Sequence, residues 1–190
     1  MQITPQKERI ILGIDPGTAV MGYGLVKEVG NKLELISLGV IKMGNLDDHI
    51  LKLQRIFEKT VALIDNYKPD CLAIEAPFYG KNIQVMLKLG RAQGVCMAAA
   101  LSRGVVITEY APRKIKQSIT GNGNADKEQV MKMLQTILKF SEAPNSFDAS
   151  DALACAVCHH FQSSNPLLAA SGKNDWKAFL AKNPGRIKGM

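Results

Sequence analysis

Two short apolar runs, each closed by a carboxylate, restrict what this chain can become. In RIILGIDPG (Arg9–Gly17), Ile10, Ile11, Leu12 and Ile14 lead into Asp15, and Pro16-Gly17 ends the run. A short continuous apolar run closed by turn residues predicts a buried strand. In DCLAIEAP (Asp70–Pro77), Cys71, Leu72, Ala73 and Ile74 lead into Glu75 in the same way. A carboxylate at the edge of a core is costly unless it is paired or holds a metal. One such Asp could simply open a turn through its own side chain. Two of them argue for a shared task. A helical stretch separates the runs, so the second strand is expected parallel to the first, with both acids at one sheet edge. Open α/β sheets place their sites in the crevice at that edge.

The remaining elements follow from spacing. Val20–Leu25 and Asn31–Met43 read as strands joined at Gly30-Asn31, which gives an antiparallel meander. Gly22 and Gly24, inside the first of them, mark a bulge or a close backbone approach. Asn45–Tyr67 has helical spacing, with Asn45 as the expected N-cap. Leu46, Ile50, Leu53, Phe57 and Ile64 are its expected inner face, and Pro69 ends it. Lys81–Ser102 predicts a helix on which Gly90, Gly94 and Ala98 share one face. That small face suits close packing on the sheet or on a partner subunit. Gly104–Tyr110 is a fifth strand. Pro112 suits a first helical turn. Gly121–Asn124, GNGN, lacks the lysine and hydroxyl of a phosphate loop and reads as a flexible turn. Ala125–Phe140 is a helix with Val130, Met133, Leu134, Ile137 and Leu138 inside, and Phe147–Phe161 is the last helix. Residues 1–163 thus form one domain. Residues 164–190, punctuated by Ser, Asn, Pro and Gly and carrying Lys173, Lys177 and Arg186, are expected to be a basic, partly disordered tail.

Charge narrows the partner. A net charge of +7 points first to nucleic acid. The window Lys81–Lys116 holds Lys81, Lys88, Arg91, Arg103, Arg113, Lys114 and Lys116 against Glu109 alone. Such clustering favours a phosphate-binding face over diffuse solubility. The N-terminus lacks the apolar core of a secretory signal, and no apolar stretch approaches the ~18 residues of a membrane span. A cytoplasmic protein is expected. Cys155-Ala-Val-Cys158-His159 matches the haem-attachment pattern formally. Its apolar helical setting and the absence of a second cysteine pair favour buried, reduced thiols over haem, zinc or redox roles.

Two more acids complete a set. Asp148 and Asp151 are three residues apart at the start of the last helix, which puts them on one face, about 5–6 Å apart at Cβ. Asp148 alone would suit the helix dipole. Asp151 sits among Ala152, Leu153 and Ala154, which look buried. Four carboxylates without supporting thiols or imidazoles suit a hard cation such as Mg²⁺ or Mn²⁺. Such ions can activate water for phosphodiester cleavage. The residues alone therefore reach a metal-dependent nuclease on a mixed α/β sheet.

The runs GIDPGTAVMGYG, IEAPF, KLGRAQGV, EYAPRKIKQSITGNGNADKEQV and DASDALA closely resemble the RuvC family of bacterial Holliday junction resolvases. The resemblance covers about Arg9–His160, in order. It implies an α/β, ribonuclease-H-like fold, with a mixed five-stranded sheet and helices on both faces. It also implies a homodimer, Mg²⁺ dependence with Mn²⁺ as a substitute, and paired symmetric nicks in four-way DNA junctions. The branch-migration proteins RuvA and RuvB would be partners, and no membrane would be involved. The family's acidic site falls on Asp15, Glu75, Asp148 and Asp151. Lys116 and Lys127 fall where family lysines approach the active centre. Phe78 falls on the aromatic that meets bases near the junction centre, where it could stack. Arg113 and Lys114 are further candidate DNA contacts. The helix with Gly90 and Gly94 is the candidate subunit interface. Other readings compete. A related nuclease could cut other structured nucleic acids, and a junction-binding protein could lack catalysis. An actin-like kinase would share Asp15-Pro-Gly-Thr18, but it needs a second half for which 190 residues leave no room.

Overall fold

The computed structural model describes residues 8–30, 32–44, 46–77, 80, 82–141, 144 and 146–163. Phe78 and the expected tail, 164–190, lie outside the described residues. The elements run β1 (Glu8–Asp15), β2 (Val20–Val29), β3 (Lys32–Lys42), α1 (His49–Tyr67), β4 (Cys71–Glu75), α2 (Ile83–Leu101), β5 (Val106–Tyr110), α3 (Pro112–Thr120), α4 (Lys127–Leu138) and α5 (Phe147–Ser163). They form one five-stranded sheet in the order β3-β2-β1-β4-β5. β1, β2 and β3 pair antiparallel, while β4 pairs parallel with β1 and with β5. This is the mixed sheet expected from the meander and the crossover helix.

Side-chain alternation assigns the two faces of the sheet. Ile11, Val26, Cys71 and Ala73 share a core with Ile115 of α3, Leu134 of α4 and Leu153 of α5. Leu12, Ile14, Leu72 and Ile74 share the opposite core with Ile56 of α1 and Cys96 of α2. The sheet is therefore covered by α3, α4 and α5 on one face and by α1 and α2 on the other.

Several helix phases differ from the spacing-based reading. α1 is capped by Asp48, whose carboxylate accepts from the Ile50 amide at 2.7 Å, so the helix starts later than an Asn45 cap would allow. Its inner stripe is Leu53, Ile56, Ile64 and Tyr67. Ile50 and Phe57 face outward, at 67% and 39% exposure. In α4 the inner methionine is Met131, not Met133. In each case one of two adjacent apolar stripes faces the sheet, and the packing partner decides which. The basic window also divides. Lys88 and Arg91 lie on α2, and Arg103 beyond its end is held by Asp65 of α1. Arg113, Lys114 and Lys116 lie on α3, across the sheet. The topology separates charges that the chain lists together, so they do not form one phosphate-binding face.

All four cysteines are free and buried, as expected. Gly90, Gly94 and Ala98 are exposed, and a Cβ built on either glycine meets nothing within 4 Å. The small face of α2 therefore does not pack on the sheet. Among the described residues, no helix is long and apolar enough to cross a membrane.

Candidate active site

Asp15 is the last residue of β1 and Glu75 the last of β4. The parallel register pairs Ile14 with Ile74, so the two acids emerge side by side. Alternation from Ile11 and Gly13, and from Cys71 and Ala73, turns both onto the face that carries α5.

Glycines bring α5 down onto that face. A Cβ on Gly22, the residue paired with Asp15, would overlap the Asp148 carbonyl. One on Gly13 would overlap the Ala152 carbonyl, and one on Gly24 would stand 2.5 Å from the Leu153 Cα. These are backbone atoms of the helix, and they cannot rotate aside. The close approach expected from Gly22 and Gly24 is thus with α5. It sets the first turns of α5, with Asp148 and Asp151, above the ends of β1 and β4. The far end of α5 is pinned separately. His160 Nδ1 lies 2.5 Å from one oxygen of Glu28, and Arg9 Nε donates to the other at 2.5 Å. Burial raises the Glu28 carboxyl, but the hydrogen bonds from His160 and Arg9 outweigh it and hold the group below its ordinary value.

The four acids feel one another. Burial, then Asp151 and Asp148, push the Asp15 carboxyl up to about 7 from an ordinary 3.8, with Lys127 pulling the other way. Burial, then Asp15 and Asp151, push Glu75 up to about 8 from 4.5, opposed by Lys127 and Lys116. Asp148 accepts a hydrogen bond from the Ser146 hydroxyl at 2.7 Å. Sequence reasoning missed Ser146 as a support for the site. Its position two residues before a first-turn Asp is the signal that could have found it.

Lys127, the first residue of α4, reaches across to Asp151, with Nζ–Oδ2 at 2.6 Å, and lies 5.8 Å from the Phe147 ring centroid. Lys116 acts electrostatically on Glu75. Both lysines are therefore at the acidic site. Lys114 acts instead on Cys158, two turns along α5 from Asp151. The Arg113 stem lies against Gly123.

Among the described residues, no group of three or more His, Cys, Asp or Glu side chains is placed so that it could hold a metal ion as it stands. The donor set nevertheless fits a divalent cation. It is all hard carboxylate oxygen, and burial first, then the neighbouring acids, raises Asp15 and Glu75 against the pull of Lys127. A consequence follows for the metal-free protein. The folded state holds protons on Asp15 and Glu75 that the unfolded chain releases above about pH 4. These groups therefore cost stability increasingly as pH rises from about 4 to about 8. In EDTA, Glu75→Gln is expected to raise the melting temperature at pH 8 by about 5 °C and to leave it unchanged at pH 4. Thermal melts at both values check this. Equal shifts at both would show that Glu75 is not electrostatically strained.

The model of the family described as crossover junction endodeoxyribonuclease RuvC matches residues 11–159. The chain belongs to the RuvC family. The crossover junction endodeoxyribonuclease RuvC of Bacteroides fragilis is 56% identical over 188 residues, covering 98% of this chain and all of that one. The structure of Thermus thermophilus RuvC in complex with Holliday junction substrate superposes with a TM-score of 0.77 at 32% identity, over 82% of this chain and 94% of that one. The yeast mitochondrial Holliday junction resolvase Ydc2 superposes with a TM-score of 0.61 at 13% identity, covering 90% of this chain and 86% of that one, which speaks for the fold alone. The architecture is accordingly ribonuclease-H-like.

Proposed function

We propose that this chain is a metal-dependent endonuclease that resolves four-way DNA junctions by paired, symmetric nicks in strands of like polarity. The observation that carries this reading is the gathering of Asp15, Glu75, Asp148 and Asp151 at one sheet edge in a RuvC-family chain, beside a relative captured with a Holliday junction. The four carboxylates would hold Mg²⁺, with Mn²⁺ as a substitute. When bound, such ions would activate the attacking water and stabilise the leaving 3′ oxygen.

The chain's own residues have separable parts in this scheme. Asp15 and Glu75, on adjacent strands, give the site a rigid floor. Asp148 and Asp151 supply a wall whose height the glycines fix. Lys127 neutralises Asp151 in the metal-free site. With cation bound and DNA in place, its ammonium is free to turn to the scissile phosphate, and Lys116 approaches from the Glu75 side. Arg113 and Lys114 of the exposed α3 surface would contact the backbone further out. Phe78, three residues after Glu75 in the chain, would stack on a base at the junction centre.

A four-way junction is nearly two-fold symmetric, so a two-fold dimer places two such sites on equivalent strands. The exposed stripe Ile83, Leu87, Gly90, Gly94 and Leu101 on α2 supports this helix as the interface. Gly94→Trp is expected to give a folded monomer by light scattering; a dimer of unchanged affinity would exclude α2. RuvA and RuvB, which the resemblance implies, would act on the same junction in the cytoplasm.

The test is a cleavage assay on a mobile synthetic four-way junction, with linear duplex and single strands as controls, in Mg²⁺ and in EDTA. Paired nicks restricted to the junction and dependent on Mg²⁺ are expected. Junction binding without any cutting would make the chain a binding module. Cutting of RNA or linear duplex would move it to another nuclease class.

A further inference from the structure

On the face of the sheet opposite α5, a cleft of about 510 Å³ opens between the edge strand β3 and α1. Arg55 and Lys59 of α1 line it, together with Tyr23 and Asn66, and Lys42 borders it at the sheet edge, where it also lines the pocket beside Val40 and Ser146 on the α5 face. No carboxylate lines it. The acids of α1 are engaged elsewhere: Glu58 accepts from Gln54 at 2.8 Å, and Asp65 takes Arg103 at 2.7 and 3.0 Å. Among the described residues the three cations of the cleft have no ion-pair partner. Arg55 and Lys59, one turn apart, share a helix face. α1 thus keeps its paired carboxylates away from the cleft and leaves its unpaired cations there.

The cleft also has a fixed relation to the acidic site. Asp15 pairs with Gly22, Gly22 with Val40, and Lys42 follows Val40 by two residues on β3. At about 4.8 Å between strands and about 3.3 Å per residue, the Lys42 backbone stands roughly 12 Å from that of Asp15. This is less than the width of a duplex. β3 is a sheet edge, with nothing beyond it in the sheet order. A polyanion lying across the acidic site can therefore pass over this edge and meet the cleft.

We propose that the Lys42–Arg55–Lys59 cleft is a second backbone site, holding phosphates of a junction arm that leaves the acidic site over the β3 edge. The inference rests on the junction-binding reading above. Its ligand class is duplex DNA, recognised by charge and without sequence selectivity.

The experiment titrates a long-armed four-way junction with the full chain in EDTA across a series of salt concentrations. The variants are R55E, K59E and R55E/K59E. K32E is the control; it reverses a charge at the other end of β3, opposite Val29. The double variant is expected to bind at least about tenfold more weakly and to lower the log–log salt slope by about 2, near one unit per lost phosphate contact. K32E should leave the slope unchanged. A double variant with wild-type affinity and slope overturns the cleft, as does a per-charge loss no greater than that of K32E. Wild-type protein that ignores the junction overturns the function reading and this inference with it. If the double reversal melts early, the neutral pair R55Q/K59Q gives the same readout, with a slope change of the same sign expected and its absence decisive against the cleft.

Discussion

Asp15→Asn is expected to abolish junction cleavage while leaving junction binding intact or tighter. Asp15 is the acid most enclosed by the others, facing Asp151 and Asp148 from the end of β1. Replacing its carboxylate by an amide removes one charged ligand from a site whose proposed chemistry depends on a divalent cation. The loss of transition-state stabilisation should amount to several kcal/mol, or about 10³-fold or more in the single-turnover rate. The same change removes a strained negative charge from the path of a polyanion, so binding should not suffer. Single-turnover cleavage in Mg²⁺, beside gel-shift titration in EDTA, separates the two effects. A rate within tenfold of wild type would remove Asp15 from the chemistry. Parallel loss of binding and cutting would point to misfolding instead.

Gly22→Ala should do nearly as much damage by a different route. The added methyl would overlap the Asp148 carbonyl, a backbone group with no rotamer to escape into. Either α5 lifts or β2 retreats. Overpacking of this kind costs about 1–3 kcal/mol or more, which for a domain of this size lowers the melting temperature by roughly 3–10 °C. Activity should fall further than stability, because the displaced turn carries Asp148 and is three residues from Asp151. Gly44→Ala is the matched control. Its methyl meets nothing, and a surface change of this kind should be neutral within about 0.5 kcal/mol. Thermal melts and cleavage rates on both variants test the seating of α5. A Gly22→Ala protein as active and stable as wild type would refute it.

The legibility of these features in the sequence was uneven, for physical reasons. The ends of β1 and β4 were readable because burial and charge conflict within one short run, and that conflict is visible locally. Asp151 was readable because Ala152, Leu153 and Ala154, which follow it, read as buried. The inner face of α1 was not. Its sequence offers two overlapping apolar stripes, and only the sheet beneath it selects Ile56 over Ile50 and Phe57. The same holds for Met131 and Met133. Glycines in β2 announced a close approach, but the partner lies more than a hundred residues away in the chain, so its identity came only with the fold. The pairing of Lys127 with Asp151 joins two helices that no local pattern relates. The basic window misled because sequence adjacency does not survive a β5 strand that carries the chain from one side of the sheet to the other.

The buried thiols have a practical consequence. Burial pushes Cys71 up to about 11 and Cys96 up to about 12, and it raises Cys155 and Cys158 as well. Maleimide chemistry needs an accessible thiolate, and none of the four supplies one in the folded state. A single cysteine placed on an exposed site away from the proposed contacts, such as Gln54→Cys or Lys132→Cys, should therefore take a fluorophore or cross-linker alone. The native cysteines can stay where they pack, and distances from α1 or α4 to labelled DNA become measurable on an otherwise unaltered core.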